Sequence, residues 1–201
     1  MLRDAVKALG RLLALVAVLP ALASFQVRAR VLGRDRALAN STQAFGLLPG
    51  LLGQYLRRAF LQQTIAYCAP DATIEFGTLF SQAGARVERR AYIGPRCHLG
   101  LVHIEEDVLL AAGVHIPSGG AIHGTSDVSR PIRDQEGRVS LVRIGAGAWI
   151  GSASVVMSAV GRHAIVGAGS VVTKPVPDYA IAAGVPAKVI RNRLDTERRP
   201  A

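Results

Sequence analysis

Residues 144–172 decide the fold, because they repeat one short pattern every six positions. The segment reads Ile144-Gly-Ala-Gly-Ala-Trp, Ile150-Gly-Ser-Ala-Ser-Val and Val156, and it resumes as Val160-Gly-Arg-His-Ala-Ile, Val166-Gly-Ala-Gly-Ser-Val and Val172. A branched apolar residue followed by glycine at this spacing fits neither a helical period nor a simple alternating strand. It is typical of hexapeptide coils, in which the apolar residue points into a narrow core and glycine turns the corner. The sequence therefore predicts a parallel β-helix.

The composition agrees with thin stacked coils. The chain has 201 residues, enough for one domain with an appendage, and half of them are apolar. Only 5% are aromatic, so the core is expected to consist of Val, Ile, Leu and Ala. Cys68 and Cys97 have no metal-binding or redox spacing, which favours buried thiols in a reducing compartment.

The positive charge is concentrated near the N-terminus. The net charge is +10, and residues 1–60 carry nine Lys/Arg against two Asp/Glu, whereas residues 61–201 carry fifteen against twelve. The repeat region is therefore nearly neutral. A basic segment beside an apolar one is typical of contact with anionic lipid. We accordingly expect a membrane surface, and not nucleic acid, as the partner of this end.

Residues 1–44 are predicted to be a membrane-associating segment. The run Leu12–Gln26 contains no charged residue and is flanked by arginines on both sides, and Pro20 is expected to interrupt it. It is shorter than the roughly 20 residues of a spanning helix. Three interpretations remain open: a helix that lies in or dips into one leaflet, a short or tilted spanning helix, and a signal peptide cleaved near Ala21-Leu22-Ala23.

Residues 45–68 are predicted to form an amphipathic helix. Apolar residues recur there at helical spacing, namely Leu48, Leu51, Leu52, Tyr55, Leu56 and Ala59. Arg57 and Arg58 are expected on or near its polar side. The helix would cap the open end of the coil stack, which otherwise exposes strand edges, and contact with a membrane is the alternative.

The repeat domain is predicted to cover residues 69–193, followed by a tail at 194–201. Its first inward positions, some at irregular spacing, are Ile74, Leu79, Val87, Ile93, Leu99, Ile104, Leu110 and Ile116. The periodicity then stops until Ile144. Residues 117–143 are therefore expected to form a long loop, and loops of this length in compact domains are usually functional or disordered.

The segment Ile144 to Arg191 resembles the hexapeptide-repeat acyltransferases. The motifs that carry the resemblance are Ile-Gly-Ala-Gly-Ala-Trp-Ile-Gly-Ser, Val-Gly-Ala-Gly-Ser-Val-Val-Thr-Lys and Ala-Gly-Val-Pro-Ala-Lys-Val-Ile-Arg. The last two are similar to the coenzyme-binding end of sugar O-acetyltransferases. The resemblance implies a left-handed parallel β-helix, a homotrimer with active sites between subunits, acetyl-CoA as the acyl donor, and no metal.

The resemblance also implies roles for individual residues. Ser118-Gly-Gly-Ala-Ile-His123-Gly is similar to the element that carries the catalytic histidine, so His123 is expected to be the general base. Many relatives have a second histidine two positions earlier, where this chain has Ala121. His115 is expected to face the same groove. The positions that match coenzyme contacts are Ser152, Ala168, Thr173, Lys174, Lys188 and Arg191.

One departure and two alternatives accompany this assignment. The coil Val156–Val160 is shorter than in relatives, which bears on the shape of the groove. The γ-class carbonic anhydrases share the fold, and the spacing of His98 and His103 could suit a zinc ion, with His115 or His123 as a third ligand. A soluble O-acetyltransferase acting on a xenobiotic is the other alternative.

Together these observations predict an acetyl-CoA-dependent O-acetyltransferase that acts on a sugar hydroxyl. The apolar N-terminal segment favours a cell-envelope or exopolysaccharide glycan, or its lipid-linked precursor, as the acceptor. Because acetyl-CoA is cytosolic, we expect the protein on the cytoplasmic side of the inner membrane, or in the cytoplasm.

Overall fold

A computed structural model describes residues 2–198, in which three α-helices precede a stack of short strands. The helices are α1 (Leu2–Leu32), α2 (Arg34–Gly46) and α3 (Gly50–Thr64). Among the described residues the strands, in chain order, are β1 (Tyr67–Cys68), β2 (Thr73–Ile74), β3 (Leu79–Phe80), β4 (Arg86–Val87), β5 (Tyr92–Ile93), β6 (His98–Leu99), β7 (Val102–Ile104), β8 (Leu109–Leu110), β9 (His115–Ile116), β10 (Val142–Ile144), β11 (Trp149–Ile150), β12 (Val155–Val156), β13 (Ile165–Val166), β14 (Val171–Val172), β15 (Ala180–Gly184) and β16 (Ala187–Asn192).

The strands form a parallel β-helix of about six turns, which confirms the predicted fold class. Successive turns contribute to three sheets: sheet A has the order β1-β4-β7-β10, sheet B runs β16-β15-β13-β11-β8-β5-β2, and sheet C runs β14-β12-β9-β6-β3. All pairs are parallel except β15 with β16, which close the C-terminal end as an antiparallel hairpin.

The hexapeptide residues fill the core as the repeat predicts. Ile93, Leu110, Ile144 and Ile150 are fully buried. One inward position differs from the sequence-based prediction, because Phe80 is buried in β3 whereas Leu79 is only half-buried. Phe80 lies six residues after Ile74 and so follows the repeat spacing, and the next inward residue, Val87, comes seven residues later.

The glycine after each branched residue is needed because adjacent turns approach closely. A Cβ at Gly145 would lie 2.6 Å from the Arg162 backbone nitrogen in the next turn. Gly147, two residues on, has a φ of 67° in the left-handed region that glycine adopts without strain. A side chain at Gly145 would therefore clash with the next turn, and one at Gly147 would be strained.

Helix α1 is longer than the uncharged run that indicates it. It continues through Pro20, which was expected to interrupt it, and ends at Leu32. Buried residues lie on both sides of the proline, namely Ala14, Val18 and Phe25. The two halves of α1 are therefore both packed against the rest of the protein. The segment Ala5–Leu32 is long and apolar enough to cross a membrane, a property that signal sequences share.

Helix α3 differs from the sequence-based prediction in which of its side chains are buried. It covers Gly50–Thr64, within the predicted range 45–68, and its first turn leaves Leu51 and Leu52 exposed by 67% and 71%. Arg57, expected on the polar side, is 2% exposed and faces the coils. Helical spacing identifies the apolar stripe, but it does not reveal which face meets the solenoid.

Arg57 joins the helices to the first turn of the solenoid. Its Nε donates to the Ile74 carbonyl at 3.1 Å, and its Nη1 donates to the carbonyls of Phe45 at 3.1 Å and Leu48 at 2.5 Å. Burial lowers the pKa of Arg57, and Glu75 partly opposes that shift. The guanidinium therefore satisfies the carbonyls where α2 ends and α3 begins.

Helix α2 also packs directly on the coils. Thr42 Oγ1 donates to the Phe80 carbonyl at 3.1 Å, and the Gly77 N–H donates to the Gly46 carbonyl at 2.9 Å. Phe45 stacks on Phe60 with ring centroids 4.5 Å apart. Residues 34–46 are thus packed against the solenoid by these contacts, although they fall mostly inside the segment predicted to associate with membranes.

The two cysteines are free and buried, as their spacing predicts. Burial raises the pKa of Cys68 to about 12 and that of Cys97 to about 11. Since the thiolate is the reactive form, neither thiol is suited to nucleophilic chemistry.

Candidate active site

A cleft of about 440 Å³ lies where α2, the outer face of sheet C and the long loop meet. His98 and His115 project from sheet C into it, and His123 reaches it from the loop. Gln43 of α2 forms part of the opposite wall. The structure therefore brings together three of the five histidines, only one of which belongs to the recognised loop motif.

The loop leaves and re-enters the coil at one place, which Ser118 defines. Buried Ser118 accepts a hydrogen bond at Oγ from the Leu101 N–H at 2.9 Å and one at its carbonyl from the Ser140 N–H at 2.8 Å. A Cβ at Gly100, in the turn beneath, would lie 2.8 Å from the Ser118 nitrogen, so this position has room only for glycine. Sequence reasoning used Ser118 only as part of a motif and missed this anchoring role.

Inside the loop, Gln135 and Asp127 hold the chain in shape. Gln135 Nε2 donates to the carbonyls of Asp127 at 2.7 Å and Arg130 at 3.0 Å, while its Oε1 accepts the Asp127 N–H at 3.1 Å. Hydrogen bonds from Ser129 to the Asp127 carboxylate lower the pKa of Asp127. The loop is thus internally bonded; it ends where β10 begins at Val142, two residues before the predicted end, and residues 117–141 contain no strand and one short 3-10 turn, Ile132–Asp134.

His123 sits on a narrow backbone pairing within the loop. The Arg138 N–H donates to the Ala121 carbonyl at 2.6 Å, and a Cβ at Gly124 would lie 2.6 Å from the Glu136 carbonyl oxygen. The glycine therefore permits the two sides of the loop to touch next to His123. The imidazole itself is exposed at the cleft, where a substrate can reach it.

His98 and His115 form an edge-to-face pair on the floor of the cleft. They occupy equivalent positions in β6 and β9, and their ring centroids lie 5.7 Å apart at 71°. Partial burial lowers the pKa of His115, and the neighbouring His98 lowers it further. At neutral pH His115 is accordingly an uncharged imidazole that can both donate and accept a hydrogen bond.

His103 lies elsewhere, which removes the basis of the zinc alternative within one chain. It belongs to sheet A, where its Nε2 is 3.2 Å from Glu88 Oε1, whereas His98 belongs to sheet C. Because His98 and His103 are five residues apart, they lie on different sheets of the β-helix. Within residues 2–198 no group of three or more His, Cys, Asp or Glu side chains is arranged to hold a metal ion.

The residues that match coenzyme contacts flank sheet C on two sides. Ser152 and Ala168 occupy one corner in adjacent turns, and the Gly169 N–H donates to the Ser152 carbonyl at 2.8 Å. Lys188 continues this side, since it pairs in register with Ala183 in the terminal hairpin. Ser152, Ala168 and Lys188 are therefore brought together, and all three are exposed.

Thr173 and Lys174 lie at the other corner, on the side where the loop begins. They follow β14, directly above Met157, whose N–H donates to the Val172 carbonyl at 2.9 Å. A Cβ at Gly120 in the loop would lie 3.9 Å from Met157 Cβ, so the loop contacts the same column. Arg191 is exposed in β16 opposite Ile181, within the closing hairpin rather than in a tail.

The shortened coil does not disturb the stack. Val160 forms isolated parallel bridges with Ile144 below and Val176 above. Residues 157–159 thus complete the turn without the extra corner residues that relatives have. The column between the loop and Thr173 is correspondingly compact.

Comparison with known proteins agrees with this architecture. Residues 141–174 match the family model described as the hexapeptide repeat of succinyl-transferase. A "Probable acetyltransferase" of Mycobacterium tuberculosis is 39% identical over 94 residues, which are 46% of this chain and 31% of that protein. The chain thus spans about a third of the length of the curated relative that it matches.

Two solved structures share the fold along most of the chain. A maltose O-acetyltransferase from Clostridium difficile 630 has a TM-score of 0.68 at 22% identity, covering 81% of this chain and 88% of its own. A galactoside acetyltransferase in complex with coenzyme A has a TM-score of 0.64 at 23% identity, covering 88% and 94%. Residues 141–174 are thus a hexapeptide repeat, and the parallel β-helix of this chain is the fold of these acetyltransferases.

Proposed function

We propose that this protein is an acetyl-CoA-dependent O-acetyltransferase that acts on a sugar hydroxyl. One observation carries the proposal: on a hexapeptide β-helix, a loop histidine and the exposed face of sheet C share a single cleft. His123 supplies the base, and the corners on either side of sheet C supply exposed backbone and lysine side chains. Galactoside acetyltransferase binds coenzyme A on the same fold.

The chemistry requires one proton acceptor. His123 takes the proton of the acceptor hydroxyl as the oxygen attacks the thioester carbonyl. The tetrahedral oxyanion then collapses, the carbon–sulfur bond breaks, and the histidinium returns the proton to the departing thiolate. Imidazole suits both transfers because its ordinary pKa lies near working pH.

The coenzyme is proposed to lie along the later turns. Ser152 and Ala168 would contact its pantetheine arm through their backbone, while Thr173 and Lys174 border the loop. Lys174, Lys188 and Arg191 suit the nucleotide phosphates, since charge-assisted hydrogen bonds are the strong ones. The acceptor would then enter from the side of α2, past Gln43 and the His98–His115 pair.

A homotrimer is part of the proposal. Sheet B carries an exposed apolar row in which Tyr92, Leu109 and Trp149 stand in register on successive turns. Such a row on a soluble surface indicates contact with another protein surface. Sedimentation in detergent should give a trimer, and a fully active monomer would contradict this arrangement.

The acceptor is proposed to be a cell-envelope glycan or its lipid-linked precursor, modified at the cytoplasmic face of the inner membrane. Helix α1 exposes Leu9, Leu12, Val16 and Leu19 along its length. Flanking arginines add attraction to anionic lipid of about 1 kcal/mol per charge. The donor acetyl-CoA is available on the same side of the membrane.

The decisive experiment measures thiol release from acetyl-CoA by the full-length protein with a panel of envelope glycans. We expect His123→Ala to lower kcat by roughly 10²–10⁴-fold without changing the thermal stability. His163→Ala is the matched control, because His163 stacks on Tyr179 at a corner away from the cleft. Near-native turnover of His123→Ala on the best acceptor would remove His123 from the mechanism.

A further inference from the structure

An apolar groove of about 490 Å³ separates the first half of α1 from the start of α3. Its floor consists of small residues on one face of α1, namely Gly10, Ala14 and Ala17, which recur at helical spacing. A Cβ at Gly10 would already lie 3.2 Å from the Tyr55 ring, so the two helices approach closely at this end. The groove lies apart from the catalytic cleft and is unused by the proposed chemistry.

The rim of the groove is apolar and exposed. Leu13 of α1 and Leu51 and Leu52 of α3 line it, and each of these side chains is more than half exposed. A volume of this size is ordinary for a ligand site and large for a packing defect. A polar ligand would gain little binding free energy there. A hydrocarbon chain would remove its own apolar surface and that of the leucines from water at the same time.

Two arginines lie beside this groove. Arg58 places its guanidinium carbon 4.8 Å from the centroid of Tyr55, a lining residue, and Arg11 follows Gly10 directly. Burial lowers the pKa of Arg58, and the nearby charge of Arg11 lowers it further. Within the described residues 2–198, neither arginine takes part in an ion pair, so an anion beside them would relieve their repulsion.

We propose that the groove binds one acyl chain of an anionic phospholipid, whose phosphate lies beside Arg11 and Arg58. The apolar walls select a hydrocarbon chain, and the paired guanidinium groups select a negative head group. This inference rests on the membrane attachment proposed above. The groove would bind one lipid at a defined site, in addition to the non-specific attachment of the outer face of α1 to the bilayer.

The test counts lipids bound to the full-length protein. Protein purified in detergent and stripped of lipid is incubated with phosphatidylglycerol or with phosphatidylcholine, and native mass spectrometry counts the lipids that remain on each chain. We expect one phosphatidylglycerol per chain and at least tenfold less phosphatidylcholine. Equal retention of the two lipids would overturn the proposed role of the arginines.

Two tryptophan substitutions on adjacent residues separate groove binding from general adhesion. Ala17→Trp fills the groove and should abolish lipid retention, whereas Val16→Trp is the matched control on an exposed side chain outside the groove and should keep it. Arg11→Gln should reduce phosphatidylglycerol retention several-fold without affecting phosphatidylcholine. Undiminished retention in a folded Ala17→Trp protein would overturn the proposal.

Membrane attachment is measured independently by flotation with phosphatidylglycerol vesicles. Ala17→Trp should still float, because the outer face of α1 is intact, and this result separates loss of the lipid site from failure of attachment. A wild-type protein that does not float would refute the attachment on which the inference rests. A lipid-free oligomer that Ala17→Trp dissociates would assign the groove to a second copy of the chain and overturn the proposal.

Discussion

The helical region and the solenoid use the same aliphatic residues in opposite ways. In the solenoid, Ile93 and Ile150 are fully buried between turns, and the charged residues lie outside. In α1, Leu12 and Leu13 are 58% and 60% exposed, while small or aromatic residues such as Ala14 and Phe25 make the internal contacts. The solenoid thus buries its inward aliphatic side chains, whereas α1 leaves one row of leucines exposed although Phe25 on the same helix is buried.

The difference shows that apolar content and burial are separate properties of a segment. A six-residue period specifies both which residues are apolar and where they point. An apolar helix specifies only the first, because its orientation depends on what packs against it. Substitutions that compare the two regions can therefore test how each is stabilised.

Arg57→Met should have the largest effect, because Arg57 bonds the two regions together. Its loss leaves the carbonyls of Leu48 and Ile74 without the Arg57 donor, while the Phe45 carbonyl keeps the Leu48 N–H at 3.3 Å, and each unsatisfied buried group costs about 1–3 kcal/mol. We expect the free energy of unfolding to fall by about 3–6 kcal/mol in denaturant titrations. Arg58→Met, which removes one hydrogen bond to the Ala72 carbonyl and the contact with the Tyr55 ring, is the control and should cost much less. Equal effects of the two would mean that the junction does not depend on Arg57.

Ile150→Ala and Leu12→Ala compare the regions directly. Ile150 is fully buried, so its truncation should cost about 2–5 kcal/mol, whereas truncation of exposed Leu12 should stay within about 0.5 kcal/mol. Thermal unfolding in detergent, followed by circular dichroism, measures both. A large loss for Leu12→Ala would show that this face of α1 is covered by protein.

Gln135→Ala tests whether the loop is positioned by its own hydrogen bonds. Removing the amide frees Asp127 and Arg130 and should displace His123, and a displacement near 1 Å can cost as much as 10²-fold in rate. We expect kcat to fall by about tenfold, with the KM for acetyl-CoA unchanged. Glu136→Ala alters the next, exposed side chain and should leave kcat unaltered. If both variants keep the wild-type rate, the loop network does not position the base.

His115→Asn should give the smallest effect, and it depends on pH. The folded-state pKa of His115 is lowered by burial and by His98, so the unfolded chain binds a proton more readily. The resulting penalty is absent above the unfolded value of about 6.5 and grows as the pH falls below it. We expect the variant to lose less stability than the wild type between pH 7.5 and pH 5, as measured by urea unfolding. Parallel losses would show that His115 is not perturbed.

The solenoid could be predicted from sequence because its repeat specifies both which residues are apolar and which of them point into the core. Ile144, Ile150 and Val166 point inward where the six-residue spacing places them. The loop and His123 were recognisable from a motif and from the interruption of the repeat. Leu79 was predicted instead of Phe80 although Phe80 lies six residues after Ile74, and the step of seven residues from Phe80 to Val87 breaks the period there.

Other features depend on contacts between distant segments and leave no local signal. The burial of Arg57 follows from carbonyls that the α2–α3 connection presents, and the passage of α1 through Pro20 follows from packing on both sides of it. Likewise, His98 joins the cleft only because β6 stacks beneath β9. A glutamine that holds a loop, as Gln135 does, looks like any other polar loop residue in the sequence.

The way in which the long loop is attached has a consequence for how such a protein can change. Its ends meet at one corner, where the Ser140 N–H donates to the Ser118 carbonyl at 2.8 Å and the Val142 N–H donates to the Leu101 carbonyl at 3.0 Å. The coils above and below therefore stack in register whatever the intervening segment contains. We therefore expect that residues 119–139 can be exchanged for another segment, which would change the wall of the cleft while the surfaces of the later turns stay as they are.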